Sequence, residues 1–139
     1  MAVLLLIITF SVWLCRKGFC VGMVYFELFY RSEQLLKYYY WPENNRNSEP
    51  GIVVVELNTG NIYIEKIASR DSKRVIPVEE VNRIVDSINE DILARGGTDL
   101  EEYIDHDLVS YFYGNHVLSA LQDAFDEGKV VENDTRAWY

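Results

Sequence analysis

The stretch VYFELFYRSEQLLKYYYW, Val24 to Trp41, decides the fold. Its first half has period two. Val24, Phe26, Leu28 and Tyr30 point one way, and Tyr25, Glu27, Phe29 and Arg31 the other, which is the alternation of a strand with one buried face. Ser32–Gln34 is short and polar, as a turn requires, and Leu35–Trp41 (LLKYYYW) reads as a second strand because consecutive tyrosines suit a pleated surface. Pro42 ends that strand, and ENNRNSEP (43–50) follows as a turn-rich loop. Gly51 then opens the β-branched run IVVVEL, Asn58-Thr59-Gly60 signals a tight turn, and Asn61–Ile67 (NIYIEKI) returns as a fourth strand. Short connections between successive strands imply antiparallel neighbours and hence a meander.

Downstream of a polar connector (68–74) the period changes. Pro77 suits a first helical turn, and Glu79 and Glu80 lie near the positive end of the helix dipole. Val81, Ile84, Val85, Ile88 and Ile92 make one apolar stripe, which Gly96-Gly97 stops. Thr98 and Glu101 form a capping-box pair, predicting a second helix whose buried face is Leu100, Tyr103, Ile104, Leu108, Tyr111 and Phe112. Gly114-Asn115 breaks or bends it, and Val117, Leu118, Leu121 and Phe125 carry the stripe on to Gly128. Lys129–Tyr139 offers a last edge strand. Strands first and helices second argue for an α+β fold: an antiparallel four- or five-stranded sheet with two to three helices packed on one face.

The amino-terminal 22 residues differ from the rest. Met1 to Cys15 (MAVLLLIITFSVWLC) carries no charge, Arg16 and Lys17 follow, and both cysteines, Cys15 and Cys20, lie here. Three readings stay open for residues 1–22: an extension ahead of a start at Met23, a short membrane anchor through residues 1–15, or a signal peptide. The apolar run falls short of the roughly 17–20 residues of a spanning helix. The positive pair follows the apolar core, where a signal peptide would place it before, and suits an anchor whose C-terminal side faces the cytoplasm. Residues 23–139 form the single domain, and a cytoplasmic location is expected unless the leader tethers the chain.

Charge narrows the function. The whole chain of 139 residues has a formal charge of −9. Without Arg16 and Lys17 the domain keeps 11 basic against 22 acidic residues, or −11. A nucleic-acid surface needs clustered Lys and Arg and is excluded on that ground. Two cysteines cannot supply a disulfide-dense scaffold. The chain has no Gly-x-Ser-x-Gly elbow, no glycine-rich phosphate loop, and no cysteine nucleophile in the domain, so no cofactor is expected.

Two features remain. Tyr38, Tyr39, Tyr40 and Trp41 run consecutively, so a strand shows two of them on each face, and exposed tyrosine and tryptophan are enriched where proteins bind one another. Asp99–Asp107 (DLEEYIDHD) concentrates carboxylates, of which Glu101, Glu102, Asp105 and Asp107 are the candidates for docking a basic partner; Asp123–Glu127 adds more. The profile is that of a small acidic, non-catalytic binding domain, such as an inhibitor or immunity-type protein for a basic bacterial enzyme. The alternative is a small metal-dependent or hydrolytic enzyme. Its centre would be Glu102 and His106, which share a helix face at i,i+4, with His116 as a further candidate. A metal site of that kind lacks the third and fourth ligands that zinc requires.

Overall fold

The computed structural model describes residues 22–138. The large sheet has five antiparallel strands in the order β4-β3-β2-β1-β7. They are β1 (Gly22–Arg31), β2 (Leu35–Pro42), β3 (Gly51–Glu56), β4 (Ile62–Lys66) and β7 (Asn133–Trp138). The first four are the meander that the period-two pattern predicts, and the carboxy-terminal strand pairs with β1 as the outermost strand. Each turn is made by the residues that signalled it. Ser32 Oγ accepts from the amides of Gln34 and Leu35, and Gly60 takes φ +76° in the β3–β4 turn.

Two further strands form a separate two-stranded sheet: β5 (Lys73–Ile76) and β6 (Leu108–Tyr111). Strand β5 takes Lys73 and Arg74 from the expected connector, and strand β6 forms where the sequence predicts a helix. Two helices are present among the described residues, α1 (Val78–Ala94) and α2 (Gly114–Asp126). They do not share one sheet face. Helix α2 covers the inner face of the large sheet, where Val117, Leu118, Ala120 and Leu121 join Val24, Phe26, Leu36, Tyr38, Tyr40, Val53 and Val55 in the main core. Helix α1 has its own smaller core of Val81 and Val85 with Ile76 and Leu108 of the small sheet.

The helix expected from Thr98 onward is not formed, and the reason is geometric. Asn82 and Asn89 sit seven residues apart on one side of α1. The side-chain amide of Asn82 both donates to the carbonyl and accepts from the N–H of Ile104 (3.1 and 3.0 Å), and Asn89 does the same for Glu101 (3.0 and 2.8 Å). Seven helical residues rise about 10.5 Å, and three extended residues span about 10 Å, so the segment matches α1 only when drawn out along it. Those four hydrogen bonds replace the ladder that a helix would have supplied, and Gly114 starts α2 rather than interrupting an earlier helix.

Asp71 ties helix α2 to the large sheet. Its Oδ1 accepts from the amides of Ser72 and Tyr113 (both 2.8 Å), and its Oδ2 from the amide of Gly114 (3.0 Å) and the Tyr40 hydroxyl (2.8 Å). A residue remote in sequence therefore caps the amino terminus of α2, which has no capping side chain of its own at Tyr113.

Candidate functional site

The alternation of β2 divides the aromatic run. Tyr38 and Tyr40 point inward and are 1% and 0% exposed. The Tyr38 hydroxyl donates to the Val131 carbonyl at 2.7 Å, and burial pushes its pKa up to about 12. Tyr40 donates to Asp71 and accepts from the Ala68 amide at 3.1 Å; burial first, and the Asp71 carboxylate second, hold its hydroxyl far above the ordinary phenol range. Both are core residues and unavailable to a partner, which corrects their place among the candidate contact residues.

Tyr39 and Trp41 point the other way, half-buried, onto the outer face of the large sheet. They do not stand alone there. Tyr25 lies opposite Trp41 and Glu27 opposite Tyr39 in the β1–β2 register. Phe29 stacks on Tyr39 with centroids 3.8 Å apart, Tyr39 meets Trp41 at 5.7 Å, and Trp41 meets Tyr25 at 6.0 Å. Four rings thus form one continuous row across two strands. Above its end sits Arg46 of the β2–β3 loop. The guanidinium carbon is 3.9 Å from the Tyr25 centroid and 4.4 Å from that of Trp41, and one guanidinium nitrogen is 3.4 Å from Glu27 Oε2. Two aromatic faces and a carboxylate converging on one cation make a cation-binding corner, here filled by the chain's own arginine. Further across, Lys37 of β2 reaches Glu65 of β4 at 3.3 Å across the intervening strand, whose Val54 lies opposite Lys37 and is buried.

Neither helix packs on this outer face; the residues through which α2 meets the sheet belong to the inner core, and α1 belongs to the second one. Phe29 remains 40% exposed and Tyr63 42%. Tyr25, Phe29 and Arg46 were missing from the candidate residues. For Tyr25 and Phe29 the signal was present, since they share the outward phase of β1 with Glu27; for Arg46, a loop residue, nothing local announced it.

The acidic candidates lie elsewhere, along α1. Glu101 is held through its main chain by Asn89, and Asp107 Oδ1 accepts from the Val78 amide at 2.9 Å, capping α1. Glu102, Asp105 and His106 are exposed. Because this segment is extended, Glu102 and His106 are not on one helix face, and the spacing that suggested a shared proton or metal is absent. His106 Nδ1 instead contacts its neighbour Asp105 at 2.9 Å, a contact that lowers the Asp105 carboxyl below its usual range. No group of three or more His, Cys, Asp or Glu side chains among the described residues is placed to hold a metal ion.

His116, in the first turn of α2, stacks flat on Trp138 of β7 with centroids 3.7 Å apart and planes 8° apart. Burial, with a smaller contribution from Arg136, lowers its pKa to about 4, so it is a neutral ring at physiological pH and serves as packing. No helix among the described residues is long and apolar enough to cross a membrane, and the expectations for residues 1–21 fall outside the described residues.

The chain matches no known protein family, no curated protein and no solved structure.

Proposed function

We propose that the domain is a non-catalytic protein-binding module that grips a basic partner through the outer face of its large sheet, in the manner of an inhibitor or immunity-type protein. One observation carries the reading: the row Phe29–Tyr39–Trp41–Tyr25 lies on a sheet face that neither helix covers, and it ends in a corner occupied by a guanidinium. Rigid aromatic rings bury area at small entropic cost, which is why they dominate binding hot spots. The corner supports a preference for cationic groups, because two rings and Glu27 hold Arg46 there. The carboxylates along α1, among them Glu102 and Asp105, contribute a negative field that favours encounter with a basic surface.

The test is retention of partners from the native host on immobilised full chain, at low and then high salt. A partner bound at low salt and released at high salt is expected, because screening weakens attraction between exposed charges. Tyr39→Ala and Trp41→Ala should abolish retention by removing about 2 kcal/mol or more each, the usual effect of truncating a hot-spot aromatic. No retained partner at low salt, or retention that both variants leave intact, would refute this role for the face.

A further inference from the structure

The carboxy-terminal strand β7 is the last strand of the large sheet; on one side it pairs with β1, and no described strand pairs with the other. Which of its main-chain groups face that open side follows from the ladder. The Leu28 amide donates to the Glu132 carbonyl at 2.7 Å. Antiparallel pairs alternate between bonded and non-bonded. The register Val24↔Arg136 and Phe26↔Asp134 therefore directs the main chain of Asp134 and Arg136 toward β1. It leaves the N–H and C=O groups of Asn133, Thr135 and Ala137 aimed outward. The Thr135 amide agrees, for its partner is not β1 but the side chain of Asp134, Oδ1, at 2.8 Å. Five of the six residues of β7 are exposed.

We propose that this edge pairs with the same edge of a second copy of the chain, antiparallel about Thr135, to give a two-fold dimer with one continuous ten-stranded sheet. The side-chain charges select this occupant and this register. Asp134 and Arg136 flank Thr135 on the inner face of the sheet, so centring the pair on Thr135 sets each Asp134 opposite the Arg136 of the other copy. Sliding the pairing by two residues in either direction sets like charges opposite one another, Asp134 on Asp134 or Arg136 on Arg136, and a slip of one residue turns inner side chains to the outer face. With Thr135 facing outward through its main chain, Thr135 opposite Thr135 is a hydrogen-bonded pair. The adjacent Asp134–Arg136 pairs are then of the non-bonded kind, in which side chains approach most closely. Among the described residues the ion pair of Arg136 is with its own Asp134, at 3.7 Å, an exposed contact of little value.

A second observation points the same way. Between α2 and β7 lies a cleft of about 350 Å³ whose lining includes the carboxylates of Asp123, Asp126, Glu127 and Asp134 against only Lys129 and Arg136. The cleft opens on the inner face, the same face on which the second copy's Arg136 would arrive. Each cleft receives one more cation, and its apolar floor of Phe26, Ala124 and Val131 accepts the aliphatic stem of that side chain. This inference does not rest on the proposed docking role of the outer sheet face, which stays available on both copies.

Sedimentation velocity on the full chain at sub-millimolar concentration, under reducing conditions so that Cys15 and Cys20 cannot cross-link copies, tests it. The expected species has twice the 16.2 kDa chain mass. Arg136→Asp leaves two anions on the edge and Asp134→Arg leaves two cations, and each variant alone should be monomeric. An equimolar mixture of the two should recover the dimer, because opposite edges then meet. That recovery cannot come from the contact within one chain. Thr135→Pro, which removes an N–H bonded to the Asp134 side chain and not to β1, should also give monomers with unchanged circular dichroism. A monomeric wild type, persistence of the dimer in either charge variant or the proline variant, or a mixture that fails to associate overturns the proposal.

Discussion

Asp71→Ala should be among the most damaging single substitutions in this protein, although aspartate at a loop position usually tolerates change. The reason is the four donors that converge on one carboxylate: the amides of Ser72, Tyr113 and Gly114 and the Tyr40 hydroxyl. Ser72 is exposed and its amide can turn to water. The Tyr113 and Gly114 amides open helix α2, and losing such a cap costs about 1 kcal/mol. The Tyr40 hydroxyl is the costlier loss. Tyr40 is 0% exposed, so its O–H has no water to replace Asp71, and an orphaned buried donor costs about 1–3 kcal/mol. The sum is roughly 2–4 kcal/mol, a large share of the stability of an ordinary domain. With a urea m-value of about 2 kcal/mol/M, the unfolding midpoint falls by about 1–2 M. Tyr40→Phe removes the same bond from the other side, and a double-mutant cycle should return a coupling of about 1.5–3 kcal/mol, the range for a hydrogen bond to a charged group. A midpoint moved by less than about 0.3 M in Asp71→Ala, or a cycle that closes to zero, would show that Asp71 does not join the helix to the sheet as argued.

His116 and Gly51 supply two further tests. His116 is held neutral in the fold, with a pKa of about 4, while in the unfolded chain it takes up a proton near its ordinary value of 6.5. Its contribution is therefore complete above pH 6.5 and is lost as pH falls toward 4. Allowing for its partial exposure, urea titrations at pH 7.5 and 4.5 should show the wild type losing roughly 1–2 kcal/mol more than His116→Phe, which keeps a ring on Trp138; equal losses would refute the assignment. A methyl group at Gly51 would lie 2.1 Å from Tyr40 Cε1 and 2.7 Å from the Ala68 nitrogen. Neither can give way, because Tyr40 is pinned by Asp71 and Ala68, so Gly51→Ala should cost about 3 kcal/mol and lower the melting temperature by roughly 10–20 °C. A change of less than a few degrees would mean that the ring relocates freely.

The large sheet was legible because its information is local. Strand phase in Val24–Leu28 and Leu35–Trp41, the Ser32 and Gly60 turns and the stripe of α1 are each set by neighbours within a few residues. Past Leu28 a bulge shifts the register, so Tyr30 lies opposite outward-facing Lys37 and not on the inner face with Val24. The segment 98–113 misled for a related reason. Thr98, Glu101 and the spacing of Leu100, Tyr103 and Ile104 satisfy the local rules of a helix. Asn82 and Asn89, distant in sequence, offer its backbone a better set of partners in the extended form. Two asparagines seven residues apart on a helix were the available sign. With that helix went the only geometric basis for pairing Glu102 with His106.

By itself the sequence determined an α+β domain, a meander, an acidic surface, and an aromatic run that must split between two faces, because pleat and composition are properties of the chain before it folds. Only the tertiary structure decided which tyrosines are core, since the face of a strand that becomes interior depends on where a distant helix docks. It also decided that Arg46 stands over Tyr25 and Trp41, that Asp71 caps α2, and that β7 leaves a self-complementary edge. Each of these is a meeting of residues that chain closure and side-chain packing bring together, and no local pattern encodes it.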